Sequence, residues 1–401
     1  MREPSLFAHR PFRLYFWARG FSEFSEQMGS VVLGWQIYAL TGSALALGMV
    51  GLAQFVPSAL LVFAAGHVAD RYDRQRVVQF CQCVEGLAAA FLAWGSFGRW
   101  LTVPEIFAAV TVLGIAGAFE SPAAAALLPG VTPVATLQRG MALSSGVFQV
   151  ATIGGPALGG LAYAVSPGVP YAIMAAFWLL SGTLNGAIAV ARSPALRKAP
   201  TLSTLFEGVA FVYRNPAILG AISLDLFAVL FGGATALLPI YARDILHTGP
   251  WGLGALRAAP AVGALVVTLV LARRPLRRRV GARMFAAVIA FGAFTVLFAV
   301  SRSIAVSLIA LAVMGAADTI SVVIRASFVQ LATPDAMRGR VSAVNFLFIN
   351  ASNQLGAFES GVTAALLGAM PAAALGGAAS ILIALIWMKL FPALRQVERL
   401  E

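Results

Sequence analysis

The fold of this chain is decided by one stretch, residues 44–97, which reads ALALGMVGLAQFVPSALLVFAAGHVADRYDRQRVVQFCQCVEGLAAAFLAWGSF. Two long apolar runs, 44–69 and 75–97, flank a short charged segment. Each run is long enough to cross the hydrocarbon core of a bilayer as a helix, which takes about 20 apolar residues. The runs are continuous and do not alternate with polar residues, so they predict helices rather than barrel strands.

The same pattern extends over the whole chain. Hydrophobic residues make up 60% of the 401 residues and charged residues only 11%, whereas a soluble domain carries about 25% charged residues. The pattern predicts twelve membrane spans, with a more polar connector at 193–215 after the sixth. The spans are predicted near 12–40, 44–69, 75–97, 103–130, 140–165, 169–192, 216–243, 250–272, 281–300, 303–331, 339–368 and 370–394.

The basic residues predict the orientation of these spans. With the N-terminus inside, 22 Lys and Arg fall on one side, and only Arg99, Arg243 and Arg302 fall on the other. Cytoplasmic loops carry an excess of Lys and Arg, so both termini are expected in the cytoplasm. The net charge of +12 therefore comes from short loop clusters, and no basic face or tail predicts nucleic-acid binding.

The two halves of the chain align at a shift of about 201–203 residues. Pro57 aligns with Pro260, Tyr38 with Tyr241, and TPVATLQRGMA at 132–142 with TPDAMRGRVSA at 333–343. Parallel repeats of six helices are the architecture of rocker-switch transporters, whose central site lies between the halves. The sequence thus predicts an all-α membrane protein with two six-helix bundles, 1–192 and 216–401, joined by the connector.

The segment GHVADRYDRQR, from Gly66 to Arg76, resembles the major facilitator superfamily signature between helices 2 and 3. The matching residues are Gly66, Asp70, Arg71, Arg74 and Arg76, and Asp73 stands where glycine is usual. FRLYFWARGFSEFSEQM, AFESPAAAALLPGVTP, GPALGG and TPDAMRGRVSAVN resemble helices 1, 4, 5 and 11 of one branch. That branch is the drug–proton antiporter group, which includes the enterobactin exporter and macrolide efflux proteins.

The resemblance implies roles for two motifs. Asp70 would meet the N-terminus of helix 11, whose dipole favours an anion, and would act as a gate with Arg71, Arg74 and Arg76. The alternative is that these arginines only anchor the topology. In helix 5 the motif residues would seal the antiporter against leakage, and the alternative is ordinary packing of small residues. These residues are Gly155, Pro156, Gly159 and Gly160.

Charged residues inside the predicted spans are the most informative signal. Each costs about 2.5–3.5 kcal/mol at the middle of a helix and is a functional candidate by default. Nearly all fall on helices 1, 4, 7, 8, 10 and 11, which line the central cavity in the resembled superfamily. They are Arg19, Glu23, Glu26, Glu85, Glu120, Asp225, Arg257, Asp318, Arg325 and Glu359.

The acids among them are the predicted proton carriers, because burial favours the protonated form of a carboxyl group. Glu26, Glu120 and Asp225 are the leading candidates, and Glu23 and Asp318 are further ones. The alternative for each acid is structural pairing with Arg19, Arg257 or Arg325, and Arg19 and Glu23 have the spacing of a helix pair. Glu85 is expected to be structural, since helix 3 is peripheral, and Ala124 stands where the branch often has arginine.

Six polar side chains among apolar ones are candidates for contact with a transported solute. They are Gln36, Tyr38, Gln54, Gln149, Asn350 and Asn353. The chain also contains 27 Phe residues, and a cavity of this kind suits an amphipathic or aromatic solute.

The expected function is export of a small amphipathic molecule, such as a drug or siderophore, by alternating access and proton antiport. The alternatives are import of a nutrient or metal chelate, lipid flipping, or a membrane sensor or scaffold without transport. The sequence has no GxxxxGK[ST] loop, which excludes an ATP-driven pump in this chain, and no grouping typical of an enzyme or metal site. The resemblance implies a monomer in the bacterial inner membrane, driven by the proton gradient without a cofactor.

Overall fold

A computed structural model of the protein describes residues 6–189, 202–274 and 279–398. This part of the chain is almost entirely helical and contains no β-strand, as the apolar runs predict. Its α-helices are α1 Arg10–Thr41, α2 Ala44–Arg71, α3 Arg74–Phe97, α4 Val103–Val131, α5 Leu137–Val165, α6 Gly168–Gly186, α7 Leu202–Arg214, α8 Pro216–Phe231, α9 Leu238–Ile240, α10 Gly249–Arg273, α11 Val280–Val300, α12 Ile304–Ala332, α13 Asp335–Leu367, α14 Ala369–Leu390 and α15 Pro392–Arg395.

Nine helical segments in the described residues are long and apolar enough to cross a membrane. Three long helices are not among them: α1, α6 and α13. Helix α1 has 32 residues and α13 has 33, but α1 contains Arg19, Glu23 and Glu26, which lower its hydropathy. The total of twelve spans and the cytoplasmic position of the termini stay predictions.

The seventh predicted span, 216–243, is not one unbroken helix. Helix α8 ends at Phe231, and a 3₁₀ turn, the short helix α9 and a π-helical turn over Tyr241–Ile245 follow. Gly232 and Gly233 interrupt the helix at a close packing contact, because a Cβ at Gly233 would lie 2.7 Å from the carbonyl oxygen of Gly356 on α13. A side chain there would push the two helices apart, so the pair of glycines favours both the break and the contact.

Three other boundaries differ from the sequence prediction. Helix α6 ends at Gly186 rather than near residue 192, and residues 190–201 lie outside the described part. The last predicted span, 370–394, is divided at Phe391, since Pro392 has no N–H to continue the hydrogen bonds of α14. Within the predicted connector 193–215, residues 202–214 form helix α7, which packs on α13.

The chain divides into two compact units. The first comprises Met1–Thr41 and Ala53–Ala199, and the second comprises Gly42–Leu52 and Pro200–Glu401. In the first unit α1 packs against α4, α5 and α6, while α3 packs against α4 and α6. In the second unit α8 packs against α12, α13 and α14, while α11 packs against α12 and α14. Helices that the internal repeat aligns therefore have the same packing partners.

Two glycines at equivalent positions of the repeat make the same kind of contact. A Cβ at Gly114 on α4 would lie 2.6 Å from the carbonyl oxygen of Gln54 on α2. A Cβ at Gly315 on α12 would overlap the carbonyl oxygen of Pro260 on α10. Both glycines thus let a neighbouring backbone approach closely, as small residues do in membrane helices.

Candidate functional site

Helix α1 carries an ion pair along one face of the first unit. The guanidinium of Arg19 lies 2.7 Å from a carboxylate oxygen of Glu23, which is the pairing that the four-residue spacing predicts. Glu23 is 9% exposed. The positive charge of Arg19 is therefore paired with Glu23, the first acid along this helix.

Glu26 lies one turn further along α1 and is placed differently from Glu23. Its side chain is exposed, and no hydrogen bond or ion pair to it is described. It interacts electrostatically with Glu23, Glu120 and Arg19. Glu26 thus lies at the surface of the first unit, in the field of two other acids.

Glu120 on α4 lies at the centre of a polar network in the first unit. One of its carboxylate oxygens, Oε1, accepts hydrogen bonds from Gln82 Nε2 at 2.8 Å and from Ser22 Oγ at 3.1 Å. Asn185 Nδ2 donates to Gln82 Oε1 at 2.8 Å, so the amide of Gln82 is held with its N–H groups toward Glu120. Helices α1, α3, α4 and α6 each contribute to this network.

Glu85 on α3 also belongs to this site, although the sequence predicted only a structural role for it. It is 4% exposed, and its side chain interacts with that of Glu120. The contact could not be predicted, because Glu85 lies on a peripheral helix and the sequence does not show which face of α3 packs on α4. One signal was available: Gln82 and Glu85 are three residues apart and share a helix face.

The second unit contains a buried ion pair between α8 and α12. A carboxylate oxygen of Asp225 contacts Nη1 of Arg325, and the two side chains are 9% and 4% exposed. Asp318 lies within electrostatic range of both. Asp225, Asp318 and Ser321 line a cavity of about 10 Å³, which holds about one water molecule.

The remaining buried charges do not join these groups through any described contact. Arg257 on α10 donates a hydrogen bond to the carbonyl oxygen of Thr235 at 3.2 Å. Glu359 on α13 accepts one from the hydroxyl of Thr363 at 2.7 Å. Both side chains are therefore engaged within the second unit.

The loop motif between α2 and α3 has a clear local role. Asp73 caps α3 by accepting a hydrogen bond from the backbone N–H of Gln75 at 3.1 Å, which explains an aspartate at the usual glycine position. Arg74 donates to the carbonyl oxygens of Ala69 and Ala126, each at 3.3 Å, and so links the end of α2 to α4. Arg71 and Arg76 are exposed, Gly66 lies inside α2, and the side chain of Asp70 lies outside the described part.

The glycine–proline motif of α5 packs against α1. The buried residues of the motif are Gly155, Pro156, Gly159 and Gly160. A Cβ at Gly155 would lie 2.6 Å from Cβ of Gln27, and one at Gly159 would lie 3.2 Å from the carbonyl oxygen of Met28. Close helix packing accounts for these glycines, and the sealing role stays a prediction.

The six candidate solute contacts fall into two groups. Gln36 and Tyr38 are buried, and Gln36 Nε2 donates to the hydroxyl of Ser96 at 3.3 Å. Asn350 and Asn353 on α13 are exposed, although Asn353 donates to the carbonyl oxygen of Ile349 at 3.0 Å. Gln54 and Gln149 are half-buried.

Chemically, the first unit offers an array of carboxyl groups that can bind and release protons. Four acids, on α1, α3 and α4, interact with one another, and the one arginine in contact with them is paired with Glu23. No group of three or more His, Cys, Asp or Glu in the described ranges is arranged to hold a metal ion. The four acids are Glu23, Glu26, Glu85 and Glu120.

Comparison with known proteins gives consistent results. The model of a family described as transmembrane secretion effector matches residues 4–401. The multidrug efflux pump Tap of Mycobacterium tuberculosis is 27% identical over 356 residues, which cover 82% of this chain and 81% of Tap. The enterobactin exporter EntS of Citrobacter koseri is 26% identical over 408 residues, which cover 98% of this chain and 94% of EntS.

Solved structures support the same fold. A crystal structure of the nucleoside transporter NupG superposes with a TM-score of 0.75 at 14% sequence identity. The match covers 95% of this chain and all of the NupG chain (100%). At this identity the likeness concerns the fold and carries nothing about the solute.

Proposed function

The chain belongs to the transmembrane secretion effector family of the major facilitator superfamily, and on that premise we propose that it exports a small amphipathic molecule by proton antiport. It is a multi-pass membrane transporter and not an enzyme. Tap and EntS are named as an efflux pump and an exporter, which supports export as the direction of transport. The energy source is the proton gradient, and no bound cofactor is needed.

The observation that carries the proposal is the array of carboxyl groups in the first unit. An acid in a membrane helix is costly, and a group of four acids with one paired arginine adds nothing to stability that apolar residues would not supply. The four carboxyl groups together can, however, take up protons without transporting any other ion. Glu26 and Glu120 are the leading carriers, because the side chain of Glu26 is exposed on α1 and interacts with Glu120.

The second unit contributes less to proton exchange in this proposal. Arg325 forms an ion pair with Asp225, so a proton on Asp225 has to displace an arginine already in contact. Asp318, next to the small cavity, forms no ion pair with the described residues and is the secondary candidate of this unit. We therefore rank Asp225 and Asp318 behind Glu26 and Glu120.

Alternating access supplies the transport step. The site opens to one side of the membrane at a time, so binding of protons and binding of solute exclude each other in successive states. The excess of basic residues on one side supports an arrangement with both termini in the cytoplasm of a bacterial inner membrane. The transporter works as a monomer surrounded by lipid.

Everted membrane vesicles test the proposal, because export appears there as accumulation inside the vesicle. Amphipathic dyes, with ethidium as the first probe, are offered to vesicles with and without an acidic lumen. Accumulation is expected to follow the pH gradient in the wild type and to be lost in Glu26→Gln and Glu120→Gln. Asp244→Asn, a change in an exposed acid outside this array, serves as the matched control.

Two outcomes contradict the proposal. Accumulation that is equal with and without the gradient, in both the wild type and the two glutamine variants, removes proton coupling. Entry of the probe into right-side-out vesicles that follows an inward proton gradient reverses the direction and favours an importer.

A further inference from the structure

Glu85 has an unusual environment for an acid. Its side chain is 4% exposed in the middle of α3, and its Oε2 atom is buried with no hydrogen-bond partner. An ionised carboxylate without a partner is among the most costly groups to bury. Protonation removes that cost, since the group then becomes a neutral acid with one O–H to donate.

Glu120 provides the acceptor for that proton. Its Oε1 atom already accepts hydrogen bonds from Gln82 and Ser22, as the oxygen of a charged carboxylate does. Gln82, which donates to Glu120, lies one helical turn before Glu85 on α3, and the side chains of Glu85 and Glu120 interact. Two ionised carboxylates have no donor between them, so this contact requires one proton on the pair.

Among the residues that the structure describes, no neighbouring cation can replace that proton. The groups that interact electrostatically with Glu85 are Glu120, Glu26 and Cys81, none of which is positive. Glu23 also interacts with Glu120. Arg19 lies beside Glu23 and is already paired with it.

The other helices packed on this pair add no cation either. The sequence of α6 contains no charged residue, and its one tyrosine, Tyr171, interacts with Tyr163. In α5 the one charged residue, Arg139, is exposed. The charged residues of α2 are confined to its last turn at Asp70 and Arg71, and Ala69 near that end packs on Val78 of α3 and Ala123 of α4.

We propose that Glu85 and Glu120 are a proton-binding pair that holds one shared proton in the resting state, with Glu85 as the residue that carries it. The pair then has a single negative charge, located mainly on Glu120. Gln82, Ser22 and the protonated Glu85 donate hydrogen bonds that stabilise this charge. Uptake of a second proton makes the pair neutral, and its release restores the shared state. The acid on the peripheral helix is thus one half of the proton site.

Infrared spectroscopy of the purified protein in lipid tests this directly. A protonated carboxyl group has a carbonyl stretch that an ionised one lacks and that shifts in heavy water. At neutral pH the wild type is expected to show this band, and Glu85→Gln is expected to lose it. Glu120→Gln is expected to keep the band at a shifted frequency, because Glu85 still has no cation and donates to the new amide.

The control and the second variant keep the experiment decisive. Glu105→Gln changes the acid at the N-terminal cap of the same helix as Glu120 and is expected to leave the band unchanged. If Glu85→Gln does not fold, the shifted band of Glu120→Gln tests the same assignment. A wild type without the band, a band that survives Glu85→Gln unchanged, or carboxylate bands that respond to sodium instead of pH would overturn the proposal.

The role of the pair in transport rests on the proposed antiport, but the infrared measurement of its shared proton does not. The spectra are recorded without solute and without a gradient, so a failed transport assay leaves this result standing. In transport, Glu85→Gln is expected to shift the pH dependence of accumulation while Glu120→Gln abolishes its dependence on the gradient. Identical pH profiles for wild type and Glu85→Gln would show that the pair is structural.

Discussion

In the first unit Glu85 and Glu120 meet with no ion pair to a cation among the described residues, whereas in the second unit Asp225 lies against the guanidinium of Arg325. The helices around the two groups pack in equivalent ways. The same architecture therefore holds one acid pair that needs a proton and one acid that has an arginine. In the proposed mechanism the first unit exchanges protons, and the second uses its charge for structure.

The largest expected difference in transport is between two single variants, each of which removes an acid from one unit. Glu120→Gln is expected to reduce gradient-driven accumulation in everted vesicles to the level of vesicles without the protein, because its site for the exchanged proton is gone. Asp225→Asn is expected to keep most of the activity, since an asparagine still accepts a hydrogen bond from Arg325. The reverse order of the two variants, at equal protein amounts, would move the proton site to the second unit.

The next effect concerns stability in the second unit. Arg325→Met leaves Asp225 and the nearby Asp318 without their arginine and is expected to cost about 3–5 kcal/mol of unfolding free energy. Asp225→Asn should cost less, because Asp318 remains within electrostatic range of Arg325. Thermal unfolding in detergent measures both changes.

A double variant and a surface control sharpen that result. Asp225→Asn combined with Arg325→Met should recover part of the lost stability, since Asp225 then carries no unpaired charge and Asp318 is the acid that has lost its arginine. Arg76→Met, on an exposed arginine, is expected to change stability little. A single Arg325→Met variant as stable as the wild type would show that the ion pair has no structural role.

The equivalent glycines provide a third comparison between the units. Gly315→Ala is expected to be the more damaging substitution, because its Cβ would overlap the backbone of Pro260, whereas that of Gly114→Ala would lie 2.6 Å from Gln54. Overpacking typically costs about 1–3 kcal/mol, so the two variants should fall toward opposite ends of that range. Gly66→Ala, where a Cβ meets open space, is the control for helical alanine. Equal unfolding temperatures for Gly114→Ala and Gly315→Ala would contradict the difference in packing.

Much of this fold could be predicted from the sequence, because lipid imposes long apolar helices and the repeat appears in the residues themselves. The ends of α2 and α3 were predicted within a few residues by the charged segment between them. The break after Phe231 was not, since two glycines in an apolar run are as compatible with a continuous membrane helix as with a bend. Only the approach of Gly356 on a distant helix decides between them.

The candidate site was predictable in part for a related reason. The pairing of Arg19 with Glu23 follows from spacing along one helix, and the structure confirms it. The contact between Glu85 and Glu120 depends on how α3 is rotated against α4, which the packing of small residues determines and periodicity alone does not show. For the same reason the sequence could not choose between Arg257 and Arg325 as the partner of Asp225.

The smallest expected effect distinguishes the two arginines that the repeat aligns at the starts of α5 and α13. Arg340 forms an ion pair with Glu207 of α7 at 2.6 Å, whereas Arg139 is exposed and forms no ion pair within the described part of the chain. Because the pair with Glu207 is itself solvent-exposed, Arg340→Gln is expected to cost only about 0.2–1 kcal/mol, with less for Arg139→Gln. Raising the salt concentration should remove the difference between the two variants, since screening weakens exposed charges. A difference that persists in high salt would mean that Arg340 holds α7 through the apolar stem of its side chain rather than through its charge.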